Sequence, residues 1–346
     1  MQHQSRFFYT FIFICACTLS TLAQNVRIIG VGDIMMGTNY PSASYLPPND
    51  GKDLLAPVVE ILKAADVTFG NLEGTVLNEG GNVKKCSNPD ACYAFRMPEK
   101  YVDNLLTAGF DLVSIANNHV GDFGEPGRKN TVAYLQRVGL AAAGLLSQPT
   151  AIIERNGLKF GLAAFAPNSG TVDIRNLNEA KTIVRELAKT VDIVIVSFHG
   201  GAEGRNHQHV PCKTEIYYGE NRGNVCAFAE AVIDAGADVV FGHGPHVTRA
   251  INLYKGRFIA YSLGNFCTYA RFSLTGESGL APIISVETDR EGKFVQAQIT
   301  SIFQEKPGGV QLDPQKRVVK IIQKLTKDDF PDAPLKITDE GLILQK

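Results

Sequence analysis

The chain is predicted to be a layered α/β sandwich, two mixed β-sheets flanked by helices, and three observations lead there. Its early part alternates apolar strand-like runs with stretches of helical periodicity, the mark of βα units. Its later part is increasingly made of paired runs joined by short turns, which adds antiparallel strands and argues against a barrel. With 346 residues, 45% hydrophobic and 20% charged, it has ample apolar material for a large core, and no internal repeat or low-complexity linker divides it.

The first 23 residues stand apart. MQHQSR carries one positive charge, at Arg6, before FFYTFIFICACTLSTLA, and Thr21-Leu22-Ala23 offers the small residues that a signal peptidase reads. Cleavage before Gln24 and export are expected. A retained anchor helix is the competing reading, because the 17 residues of that run reach the lower limit of a membrane span.

From Val26 the elements follow in order. Val26–Gly32 is a buried strand, Leu54–Ala65 has helical spacing after an Asn-Asp-Gly turn, and Val67–Phe69 is a short strand. Lys100–Ala108 is a helix stopped by Gly109, Leu112–Ala116 a strand, and Gly127–Val138 a helix ending at Gly139. Ile152–Pro167 reads as a hairpin turning at Asn156-Gly157. Helix Asn178–Lys189, strand Val191–Phe198, helix Ala227–Ala235 closed by Gly236, and strand Val239–Phe241 continue the alternation. Ile251–Tyr254 with Arg257–Tyr261 forms a second hairpin, about Lys255-Gly256, and Ile283–Asp289 pairs with Lys293–Phe303. One domain over 24–305 is expected. Residues 306–346, rich in Lys, Asp and Pro with one amphipathic stretch at Val318–Leu325, are expected as a peripheral tail.

Net charge is −1, which argues against a nucleic-acid partner or a basic membrane-surface role. Beyond the leader, five cysteines remain. Cys86 and Cys92 bracket a turn-forming loop and Cys212 and Cys226 a polar one, so two local disulfides are the simplest pairing in an oxidising compartment. Cys267 is expected as a buried free thiol.

Six of the seven histidines lie after residue 118, and most sit in segments of one form. An apolar run is followed at once by Asp, Glu, Asn or His beside glycine: VRIIGVGD, DVTFGNLEG, DLVSIANNHVGD, IVIVSFHGGAE, ADVVFGHGPH and FIAYSLGNF. The carboxyl ends of strands in an α/β sheet form the crevice where ligands bind. Metal-competent side chains from several strand ends therefore converge there.

The ordered set VGDIMMG, NLEG, ANNHVGDFG, HGGAE, GHGPHV and SLGNF, spanning residues 26 to about 270, resembles the CapA family of poly-γ-glutamate capsule biosynthesis proteins, within the calcineurin-like metallophosphatase superfamily. The resemblance implies a metallophosphatase-like sandwich holding one or two divalent metals. By motif, Asp33 and Glu73 supply carboxylates, Asn118 and His199 serve the second metal, and His243 and His246 divide between the two. Such a nitrogen and oxygen set suits Mn²⁺, Fe or Zn²⁺. His119 is implied as a general acid, with Asp122 orienting it. Asn117, Glu203, Arg205 and Asn265 are candidate substrate contacts. Two departures bear on the first metal position: Met35 stands where the superfamily motif has His, and the last motif reads His-Gly-Pro-His.

Two functions follow. One is an exported metal-dependent hydrolase of a phosphoester or an amide in a cell-envelope polymer. The other is a non-catalytic component of a capsule machinery that binds or exports an anionic polymer, using the basic loop of Arg205, His207, His209, Lys213 and Arg222.

Overall fold

The computed structural model describes residues 25–85 and 92–346. The larger sheet runs in the order Leu335–Ile337, Leu342–Gln345, Phe294–Phe303, Leu280–Thr288, Val26–Met35, Val67–Leu72, Leu112–Ser114 and Ala141–Ala143. Asn265–Thr268 lies parallel to the end of Val26–Met35, and Gln311–Leu312 pairs with Phe294–Phe303. The smaller sheet runs Ile251–Tyr254, Arg257–Ala260, Val239–His243, Ile193–His199, Leu158–Phe165 and Thr150–Arg155. Its four inner strands are parallel and its outer two antiparallel, so both sheets are mixed.

The layering follows from the two-residue period of the strands. Along Val26–Met35, Ile28 enters the core between the sheets with Phe69, Phe160, Ile195 and Phe241. Ile29 and Val31 point the other way, against Val102, Leu105 and Leu135 of helices Val102–Ala108 and Gly124–Val138. On the far side, Val194, Val196 and Phe198 pack under helices Leu177–Ala188 and Val225–Asp234. Strands buried on both faces need continuous apolar runs, which is how these read in the sequence. Where the sheets touch, Phe69 and Phe241 stack at 5.6 Å, and a Cβ at Gly30 would lie 2.4 Å from the Phe241 ring.

Local signals set the boundaries. The side chains of Asn176 and Asn224 accept the backbone N–H of Glu179 and Ala227, capping their helices at a benefit of about 1 kcal/mol each. The hairpins turn at Asn156-Gly157 and Lys255-Gly256, all four residues at positive φ, as a two-residue hairpin turn demands.

Two expectations differ. Leu54–Ala65 is not a continuous helix; 3₁₀ turn Ala56–Val58 precedes a four-residue helix, Val59–Leu62. Pro57 lacks an N–H and disfavours an α-helical conformation for the residue before it, so the α-helix starts only beyond it. Residues 306–346 are no loose tail: Leu335–Ile337 and Leu342–Gln345 extend the larger sheet, and helix Arg317–Asp329 buries Val318, Val319 and Ile322 in the inter-sheet core. Asn265 lies beyond the Arg257–Ala260 strand and begins Asn265–Thr268 in the larger sheet. The Cys212–Cys226 disulfide is present and Cys267 is a buried free thiol. The expected Cys86–Cys92 bridge involves residue 86, which lies outside the described residues. The expected leader, 1–23, lies outside them too. No helix among the described residues is long and apolar enough to cross a membrane.

Candidate metal centre

The carboxyl ends of strands from both sheets open on one place. Asp33 sits near the end of Val26–Met35, beside Asn71 in one neighbouring strand and Asn265 in the other. The residue before it must be glycine, since a Cβ at Gly32 would fall 1.9 Å from the Gly264 carbonyl oxygen. That carbonyl accepts the Asp33 N–H at 2.8 Å. Glu73 follows Val67–Leu72 and donates its N–H to the Ile34 carbonyl. Asn117, Asn118 and His119 lie in the turn after Leu112–Ser114. From the smaller sheet, His199 and His243 end adjacent parallel strands as register partners. His246 follows at φ 56°, a left-handed conformation that non-glycine residues adopt chiefly where surrounding structure imposes it.

The side chains meet closely. His246 Nδ1 is 3.0 Å from Asp33 Oδ2, His243 Nδ1 is 3.4 Å from Asp33 Oδ1, and His246 Nε2 is 3.5 Å from Glu73 Oε1. Ligand atoms of Asp33, Glu73 and His246 all lie within 4.8 Å of one another. The His199 and His246 rings are 6.5 Å apart. Both carboxylate oxygens of Glu73, Oδ1 of Asn118 and both ring nitrogens of His199 and His243 are buried without a well-formed hydrogen bond among the described residues. An unpaired buried polar group costs about 1–3 kcal/mol, so this set fits a cation that would satisfy several at once. Its nitrogen and oxygen donors suit Mn²⁺, Fe or Zn²⁺.

Electrostatics agree. Burial alone would raise the Asp33 carboxyl, but the imidazoles of His243 and His246 beside it hold it well below the carboxylate range. Burial pushes Glu73 well up, opposed by His246 and reinforced by Asp33, Glu203 and Asp122. Burial acts against a charged His246, yet Glu73 and Asp33 raise it to about 10. Burial drives His199 well down. Protons and metal compete for these same lone pairs.

His119 is held differently. Its Nδ1 lies 2.7 Å from Oδ2 of fully buried Asp122, an oxygen that also accepts the Phe95 N–H at 2.7 Å. Lys84 Nζ is 2.6 Å from the other Asp122 oxygen. This pins the ring with Nε2 toward Glu73, 4.0 Å from Oε1. The Phe95 ring packs on the imidazole at 4.3 Å. Burial lowers the His119 imidazole, and Asp122 opposes that.

The candidate substrate contacts are spread around this centre. Asn117 is saturated: Oδ1 accepts the His119 and Val120 N–H groups, and Nδ2 donates to Leu72 O and Asn71 Oδ1. Asn71 passes the chain on by donating to Asp33 Oδ1 at 2.8 Å. Asn265 uses its amide nitrogen on the carbonyls of His246, Ser273 and Ser278, leaving Oδ1 unpartnered among the described residues. Glu203 is bound by Arg222 at 3.1 Å, and its charge reaches Glu73 and His246. Arg205 is exposed at the rim, 3.8 Å from Glu277.

Sequence reasoning missed Lys84, Phe95 and Arg249. Arg249 is fully buried, forked onto Glu215 at 2.9 and 2.8 Å, and donates to the carbonyls of Ala202 and His207, tying the His246 segment to the disulfide loop. An arginine three residues after His246 is the one available signal. Met35 is buried against Phe95 and Phe272.

Residues 27–270 match the family described as bacterial capsule synthesis protein PGA_cap. The PGA biosynthesis protein CapA of Bacillus subtilis (strain 168) is 30% identical over 315 residues, covering 86% of this chain and 77% of that protein. The capsule biosynthesis protein CapA of Bacillus anthracis is 29% identical over 345 residues, covering 92% and 77%. Among solved structures, a hypothetical protein from Thermus thermophilus superposes with TM-score 0.48 at 16% identity, covering 84% of this chain and all of that one. A 5′-nucleotidase precursor from the same organism gives TM-score 0.42 at 12% identity, covering 84% and 54%. The strand-end motifs from Asp33 to Asn265 all fall inside the family match, and on that match the chain belongs to the bacterial capsule synthesis protein PGA_cap family.

Proposed function

We propose that this protein is an exported, metal-dependent hydrolase of capsule or exopolymer biosynthesis, acting on a phosphoester or an amide. The observation that supports catalysis is the His119–Asp122 pair beside the ligand set: His119 stands next to the Asp33, Glu73 and His246 cluster, oriented by Asp122 with Nε2 facing the centre, where it can exchange a proton with substrate. Asp33, Glu73, Asn118, His199, His243 and His246 would hold one or two divalent cations. When bound, the cation supplies charge that polarises the substrate oxygen and acidifies a bound water.

The protein's own groups do the rest. Asp122 holds one proton on His119 Nδ1 and stabilises the imidazolium, so Nε2 is the atom that takes up a second proton, from solvent or the attacking water, and passes it to the leaving oxygen or nitrogen. Phe95 and Phe272 wall the imidazoles of His119 and His246 against water. Export agrees with the apolar leader and with the Cys212–Cys226 disulfide.

The test combines metal analysis of purified protein with phosphoester and γ-glutamyl-amide assays on wild type and His119→Ala. Turnover abolished with metal retained supports the hydrolase. Full turnover in His119→Ala would remove His119 as the acid, whereas no turnover in wild type together with a full capsule phenotype in His119→Ala would leave the non-catalytic polymer-binding component as the reading.

A further inference from the structure

Beside the metal centre, the aromatic wall continues outward to an arginine that has no counter-ion among the described residues. Phe272 meets His246 edge-on at 5.4 Å and stacks on Phe95 at 5.0 Å, and Phe95 neighbours Tyr93 at 6.4 Å. Arg271, next in sequence to Phe272, has its guanidinium over the rings of Tyr45 and Tyr93, at 4.9 and 5.0 Å. Among the described residues its side chain also donates no hydrogen bond, and Nε is buried without a partner. Arg128 and Arg222 also have a buried Nε without a partner among the described residues, but each has a terminal nitrogen engaged, by Ser169 O and by Glu203 with Glu220, and Arg249 is held by Glu215.

Cation–π contacts occupy the faces of a guanidinium and leave its in-plane N–H edge free, the edge that binds carboxylate or phosphate in a fork. The backbone here is specialised as well. Ala270, just before Arg271, sits at φ 65°, left-handed for a residue with a Cβ, and its N–H is held by the Pro307 carbonyl. A strained turn, held from outside, thus places an arginine at the outer end of the wall that leads to His119 and His246.

We propose that Arg271, clamped between Tyr45 and Tyr93, is an anion-binding subsite that holds an acidic group of the substrate at the outer end of the aromatic wall. It rests on the reading that substrate is held at the strand-end centre, and it adds to that reading what the substrate must carry: a carboxylate or phosphate separated from the reacting bond by the span of Phe95 and Tyr93.

The test is calorimetric titration of metal-loaded protein at two salt concentrations with poly-γ-glutamate oligomers and, separately, with inorganic phosphate. Arg271→Gln is expected to weaken one of the two by about ten- to a hundredfold and to flatten its salt dependence. Arg271→Lys, which keeps the charge but loses the fork, is expected to recover only part of this. Arg137→Gln, an exposed arginine over Tyr134 with Glu99 as its partner, is expected to bind as wild type does. The ligand that loses affinity identifies the anion as carboxylate or phosphate. If Arg271→Gln does not fold, Tyr93→Ala at a half-exposed ring is expected to cost severalfold in the same titrations. Wild-type affinity for both ligands in a folded variant overturns the proposal, as does a wild type that binds neither. No turnover is read, so failure of the hydrolase reading in the His119→Ala assay leaves this result standing.

Discussion

On the larger sheet, Asp33, Asn71 and Asn117 form an unbroken hydrogen-bond chain that ends on the His119 backbone, and His119 itself is locked to Asp122. On the smaller sheet, His199 and His243 sit side by side in register, their ring nitrogens without a well-formed hydrogen bond among the described residues. The first region is wired before anything binds, while the second has donors waiting for an electrophile. Asp33 joins them, bonded to Asn71 on its own side and facing His243 and His246 on the other. On the function proposed above, the difference separates two tasks that a list of residue types would merge, proton handling by one imidazole and cation holding by the others.

The largest expected effects come from breaking that division at its joint. Asp33→Ala should lower metal affinity by more than about a hundredfold and abolish activity, since it removes a ligand and the partner of two imidazoles; metal content after dialysis checks this. His199→Ala or His243→Ala should likewise lose metal. His119→Ala should keep its metal while turnover falls by about 10²- to 10⁴-fold, and equal metal loss in the two classes of variant would show that the imidazoles share one role.

Next is the contact between the sheets that makes the convergence possible. Gly30→Val would push a side chain into the Phe241 ring and should cost about 1–3 kcal/mol or more in denaturant unfolding. Loading with metal should raise the unfolding midpoint, and chelation should reverse this, by an amount that grows with the logarithm of free metal.

The smallest effect lies in the smaller sheet, away from the centre. Burial pushes the Asp238 carboxyl up to about 6, against the Val194 N–H and Arg257 that favour its charged form. A carboxyl whose folded value is raised binds its proton more tightly in the folded state. Its stabilisation is therefore present below about pH 4 and lost as pH rises through 6. Asp238→Asn should flatten that part of the stability profile, which thermal unfolding from pH 4 to 7 would show.

Much of this is legible in the sequence because it is local. Strand runs ending in Asp33, Glu73, His199 and His243, the asparagine caps and both hairpin turns are each specified within a few residues. What stays hidden depends on distant partners. Lys84 has no motif of its own and matters only because its chain passes Asp122. Phe95 and Phe272 read as ordinary hydrophobic residues until Met35 and two imidazoles are found beside them. The amphipathic stretch at Val318–Leu325 looks like a surface segment because its polar face is as regular as its apolar one, and only packing shows which face is satisfied. Pro57 is plain in the sequence, yet the apolar spacing around it outweighs it in the expectation of a helix over Leu54–Ala65.

The link between Asp33 and His246 spans 213 positions of the polypeptide. Contacts so remote form late, after the entropy of closing a long loop has been overcome. A chain emerging from its N-terminal end therefore presents Asp33 well before anything that completes its surroundings. Shortened products that stop ahead of residue 246 are expected to have no fraction of the native metal affinity, so competence should arrive in a single step near the end of synthesis.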